Sequence, residues 1–166
     1  GSLIFAFQMF SFPITNGTSG HLLGGILAAV ALGPFSGTIV ISAILLFQSV
    51  FLGDGGLAAL GANILNIAVI GSFGCYYIYY SIHKAFKNNY GYYTGIGLAS
   101  FFSVLLSSIL CAFEISLSGT VAMGKIVPAM ASVHSVIGIA EAMLTILALE
   151  ALTHIKFVTD GKLYNE

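Results

Sequence analysis

Among the side chains able to do chemistry, His21 stands out by its neighbours. It lies in the run Gly17-Thr18-Ser19-Gly20-His21-Leu22-Leu23-Gly24-Gly25. Glycine on both sides leaves backbone room for a bound group, and a helix start there would offer free N–H groups. A neutral imidazole is the commonest metal ligand in proteins, and Thr18 and Ser19 stand beside it as helix caps or supporting hydroxyls. One histidine makes no site, so a hydrogen-bonded packing histidine is the competing assignment. His134 and Glu141 lie seven apart, two turns along one helix face. His134 falls nearer the His21 end and could ligate or orient a ligand there.

Glu141 falls near the middle of an apolar run. An ionisable group at that depth is a functional candidate by default, as a proton relay, or it is interhelical glue hydrogen-bonded to Asn63, Asn66 or Gln48. Asp54, in Gly53-Asp54-Gly55-Gly56, either forms the turn and caps the next helix or attracts cations. Glu114 sits near a helix end, where partial solvation is cheap. Asn16-Gly17-Thr18 matches the short glycosylation sequon. His83 and His154 read as membrane-boundary residues. No P-loop, HExxH, GxSxG or paired-cysteine zinc pattern occurs, so no catalytic residues are assigned.

Punctuation along the chain divides it into six helices. Helix A is expected over 3–12 and stops at Pro13; residues 14–20 form a loop with an Asn-Gly turn signal. Helix B follows over 20–32, and thirteen residues reach only about 20 Å, short of the roughly 30 Å hydrocarbon core. Gly33-Pro34 then opens helix C, to residue 52. Helices D (60–83), E (92–117) and F (128–153, opened by Pro128) complete the set. Small-residue pairs such as Gly24 and Ala28, Gly25 and Ala29, Gly33 and Gly37, and Ala58 and Ala62 permit close helix packing.

Composition sets the solvent. Of 166 residues 58% are hydrophobic and 7% charged, against about 25% charged in soluble domains. No charge occurs before Asp54, and none between Gly55 and His83. The fold class is therefore all-α: a polytopic transmembrane bundle, one domain over 1–166, in contact with lipid. Soluble enzymes are excluded, and five lysines without arginine form no basic patch for nucleic acid. Cys75 and Cys111 lie in apolar runs and read as small buried hydrophobes. Lys84, Lys87, Lys156 and Lys162 share one face of the bundle, which the positive-inside rule makes cytoplasmic. The loops bearing His21 and Asp54 then face outward. The chain opens on Gly1-Ser2 without Met, which reads as a cloning scar or a cut end, with an N-terminal helix expected upstream.

Three stretches in order, Gln8 to Ile14 with Gly17 to Gly25, Gly53 to Leu57 with Gly61 to Asn66, and His134 to Ala142, resemble the cobalt/nickel substrate-specific membrane subunits (S components) of energy-coupling-factor transporters, the CbiM and NikM proteins. The similarity covers essentially the whole chain. It implies a multi-pass protein of a prokaryotic inner membrane that captures Co²⁺ or Ni²⁺ from outside as its transported substrate, without an organic cofactor. The partners it implies are a transmembrane coupling subunit, two cytoplasmic ATPases of the ABC type, and a small accessory membrane subunit. It also implies a nitrogen-rich metal set suited to such ions: a free terminal amine, a histidine directly after the initiator Met, and the histidine of the Gly-Thr-Ser-Gly-His motif. Here the last is His21, and the other two have no counterpart, so weak metal binding is expected of a protein lacking that segment. Cobalt is slightly favoured over nickel. The alternatives are a secondary transporter or channel relaying protons through Glu141, and a structural component of a membrane assembly.

Overall fold

A computed structural model of the protein describes residues 1–9, 11–13 and 19–159. Helix α1 (Ser2–Gln8) is followed by two short strands, β1 (Ser11–Pro13) and β2 (Ser19–His21). The strands pair antiparallel, with Ser11 opposite His21 and Pro13 opposite Ser19. Helices α2 (Gly25–Leu32) and α3 (Pro34–Phe47) come next, and α3 runs on through a π-helical turn, Gln48–Leu52. Helix α4 (Gly56–Asn63) continues through a π-helical stretch, Ile64–Gly74, into α5 (Cys75–Phe86). Two long helices, α6 (Asn89–Leu117) and α7 (Met123–Thr159), pack along each other and close the bundle. Four helical segments, Pro34–Leu52, Gly56–Phe86, Asn89–Leu117 and Met123–His154, are long and apolar enough to cross a bilayer. The all-α polytopic fold holds, and the chain is a multi-pass membrane protein.

Several boundaries differ from the expected ones, each for a local reason. Helix A ends at Gln8 rather than 12, because the residue before a proline favours extended backbone and residues 11–13 pair as a strand instead. Helix B begins at Gly25 rather than 20, since residues 19–21 belong to β2 and Gly24 adopts a left-handed conformation at φ 66°. Eight residues advance only about 12 Å. The segment Leu22-Leu23-Gly24 thus enters the bundle as non-helical chain, which lipid would not tolerate but surrounding protein does. Helix D starts at Gly56, not 60, and helix F at Met123, not 128, with Pro128 tolerated inside it. Asn88, not a proline, sets the start of α6: its side chain accepts the Gly91 N–H at 2.8 Å.

The core gathers around the short helix. Ile26, Leu27, Ala28 and Ala29 are buried between α3, α6 and the π-helical stretch. Ser72 Oγ donates to the Gly25 carbonyl at 2.9 Å, pinning the first turn of α2. Gly37 lets α3 reach α2: a Cβ there would lie 2.7 Å from the Cα and N of Ala29. Ala58 and Ala62 do not serve this packing, since Ala58 is exposed and Ala62 only half-buried. Gly37→Leu is therefore expected to lower stability by about 3 kcal/mol or more, read by thermal unfolding in detergent. Gly61→Ala, with open space around its Cβ, is the matched control and is expected to be neutral or slightly stabilising.

Candidate metal site

The site forms where β2 turns into the bundle. His21 ends that strand, and its Nδ1 lies 3.1 Å from the Leu22 carbonyl oxygen. A carbonyl only accepts, so Nδ1 carries a proton. His134, one turn past Met130 on α7, repeats the arrangement: its Nδ1 donates to the Met130 carbonyl at 2.8 Å. In both, Nδ1 is tied to a backbone carbonyl, the arrangement in which a histidine ligates a metal through Nε2. His134 Nε2 faces Gly20, where a Cβ would approach it to 3.1 Å and strike Ile137 Cδ1 at 2.5 Å. A side chain before His21 would have to displace the Ile137 methyl and press on the His134 ring, so glycine eases this close approach of strand to helix.

Both histidines line one cavity of about 320 Å³. Asp54 joins them from the turn before α4, Asn63 from the end of α4, Ser107, Ser108 and Cys111 from α6, and Met130 from α7. Asp54 does not cap α4, whose N-cap is Gly55 without a side-chain bond. Its backbone N–H closes the turn onto the Gln48 carbonyl at 3.1 Å, leaving the carboxylate at the cavity wall. Among the described residues no three His, Cys, Asp or Glu side chains converge as a metal cluster. The cavity therefore offers two imidazole nitrogens and a carboxylate along its wall, with coordination room for further donors.

The remaining candidates fall elsewhere. Thr18 lies outside the described residues, and Ser19 is placed only as a β2 residue paired with Pro13. Asn66 is not on the cavity wall. It donates to Glu114 Oε2 at 2.9 Å, and its carbonyl accepts Ser107 Oγ at 2.6 Å. Glu141 meets none of Asn63, Asn66 and Gln48. Its Oε2 accepts the Leu23 N–H at 3.0 Å and its Oε1 the Gly24 N–H at 2.7 Å. The side chain is reserved for backbone donors because α2 starts there, with unpaired N–H groups and the positive end of its dipole.

Two contributions escaped the sequence reading. Gln8 reaches back from α1 and donates to the Leu23 carbonyl at 2.6 Å, clamping the strand from the other side. Cys111 is free and lies on the cavity wall. A signal for it was present: Ser100, Ser103, Ser107 and Cys111 follow one another at spacings of three and four, a small polar stripe on one helix face.

A family model, CbiM, the cobalt uptake substrate-specific transmembrane region, matches residues 1–157. This chain belongs to the CbiM family. The putative fused nickel transport protein NikMN of Archaeoglobus fulgidus is 35% identical over 144 residues, which is 86% of this chain and 47% of that protein. The cobalt transport protein CbiM of Thermosipho melanesiensis is 32% identical over 118 residues, 71% of this chain and 48% of its own length. This chain thus spans about half the length of both. The crystal structure of a transition metal transporter shares the fold with a TM-score of 0.84 at 30% identity, covering 93% of this chain and 73% of that one.

Proposed function

We propose that this chain captures a divalent transition-metal ion, Co²⁺ or Ni²⁺, as the substrate-binding subunit of an ATP-driven importer of the energy-coupling-factor type. One observation carries this reading: in a chain of the CbiM family, His21 and His134, each with its Nδ1 held on a backbone carbonyl, line a single polar cavity. Imidazole nitrogen suits both ions, and the two histidines come from elements that Glu141 and Gly20 hold in register. Lys84 and Lys87 flank the opposite end of the bundle, between the spans Gly56–Phe86 and Asn89–Leu117. The positive-inside rule then puts the cavity on the external side. In this reading two partner ATPases supply the energy through a coupling subunit, and the sequence of this chain itself carries no P-loop.

Uptake of radiolabelled Co²⁺ and Ni²⁺ in competition, by cells expressing the full transporter, tests this assignment. Accumulation is expected to require catalytically intact ATPases and to survive an uncoupler while ATP is maintained. Uptake that proceeds without the ATPases and collapses with the proton gradient would instead make the protein a secondary transporter.

A further inference from the structure

A second polar cavity, of about 520 Å³, opens at the end of the bundle away from His21. Its wall includes His83, Lys87, Asn88, Tyr92, Tyr93 and Glu150. The span Gly56–Phe86 ends there, Asn89–Leu117 begins, and Met123–His154 ends, so the cavity sits at headgroup depth. Every tyrosine except Tyr164 falls between residues 76 and 93, a girdle of the kind that marks a membrane–water boundary. Lys84 Nζ stands 5.6 Å from the centre of the Tyr80 ring within it.

The polar groups of this cavity are held in place. Tyr93 donates its hydroxyl to Glu150 Oε1 at 2.5 Å, fixing the carboxylate at the wall. The His83 ring stacks on Tyr79, centroids 5.6 Å apart and planes 6° apart, with Tyr92 edge-on at 5.8 Å. Its Nδ1 is nevertheless buried without a hydrogen-bond partner, which is rare for a buried polar atom. Lys87 takes a left-handed backbone, φ 49°, to end α5. Asn88 uses its Oδ1 to cap α6, leaving its NH₂ as a donor.

These groups select among ligands. No three ligating side chains converge as a metal cluster among the described residues, and the Lys87 ammonium repels a cation. A simple anion would meet the fixed Glu150 carboxylate. A ligand carrying both charges a few bonds apart satisfies both. We propose that this cavity binds the headgroup of a zwitterionic aminophospholipid. The primary ammonium lies at Glu150, with the Tyr92 and Tyr93 rings on the same wall to add cation–π attraction to the ion pair. The phosphodiester lies at Lys87 and Asn88. The volume is ordinary for a small-molecule site, about 300–1,000 Å³, and headgroup pockets between span ends are a known mode of lipid recognition.

The test is native mass spectrometry of the purified protein released from nanodiscs containing phosphatidylethanolamine, phosphatidylcholine and phosphatidylglycerol in equal amounts. The ethanolamine lipid is expected to be retained about tenfold over its N-trimethylated counterpart, which cannot donate to Glu150. Glu150→Gln should remove that preference. Lys87→Asn, chosen because asparagine tolerates the left-handed backbone, should reduce retention of the ethanolamine and choline lipids alike. Equal retention of all three lipids, or preferential retention of phosphatidylglycerol, overturns the proposal. So does an unchanged ethanolamine preference in a folded Glu150→Gln protein. None of these outcomes depends on metal transport.

Discussion

His21→Ala is expected to bring metal uptake to background while leaving the fold intact. The imidazole makes one protein hydrogen bond, to Leu22, and is only half-buried. Its loss should cost about 0.5–1.5 kcal/mol of stability, a small shift in thermal unfolding. The remaining donors on the cavity wall, His134, Asp54 and Cys111, do not converge as a metal cluster among the described residues. His134→Gln keeps the bulk against Gly20 but removes the open Nε2. It is expected to weaken binding by about 10–100-fold rather than to abolish it, if His134 supports a site centred on His21. Radiolabelled uptake in cells and titration of the purified protein read the two effects. Unchanged uptake by the His21→Ala protein would remove His21 from the site.

The contrast between His21 and Asp54 shows how much of the site was legible in the sequence. Both sit in glycine-rich turns flanked by apolar helices, and composition alone sends both turns to the membrane surface on the same side. Their common cavity follows from that topology. Which residue serves as cap was not legible. A cap depends on φ at one glycine, and Gly53, Gly55 and Gly56 all take positive φ, so the helix starts behind Gly55 and frees Asp54 for the cavity.

The fold was legible where composition and proline or glycine punctuation act together. α3 begins at Pro34 as its sequence implies, and α6 ends at Leu117 as expected. The failures concentrate between residues 9 and 24. There proline, glycine and polar residues announce a loop, yet the backbone pairs β1 with β2 and enters α2 five residues later than expected. No local signal reports this, because the compensating groups are distant: Glu141 follows Gly24 by 117 positions and reaches it from α7. A carboxylate inside an apolar helix was visible from the sequence. Its partner was not, since backbone N–H groups become available only when a helix starts inside the protein.

That arrangement makes Glu141 the second position of large effect. Its side chain is 3% exposed and both oxygens are engaged, by Leu23 and Gly24. The same two turns are held by Gln8 at the Leu23 carbonyl and Ser72 at the Gly25 carbonyl. Removing the acceptor leaves two buried N–H groups unsatisfied where water is scarce, each costing about 1–3 kcal/mol. Glu141→Ala is therefore expected to destabilise the protein by about 2–6 kcal/mol. It should also weaken metal binding, because β2 carries His21 directly into this segment. Glu141→Gln distinguishes anchoring from proton relay. Its amide offers one oxygen and turns an NH₂ toward the other N–H, so an anchoring role predicts a partial loss of both stability and affinity, moving together. A relay predicts unchanged thermal unfolding with uptake abolished, and that result would return Glu141 to the transport step.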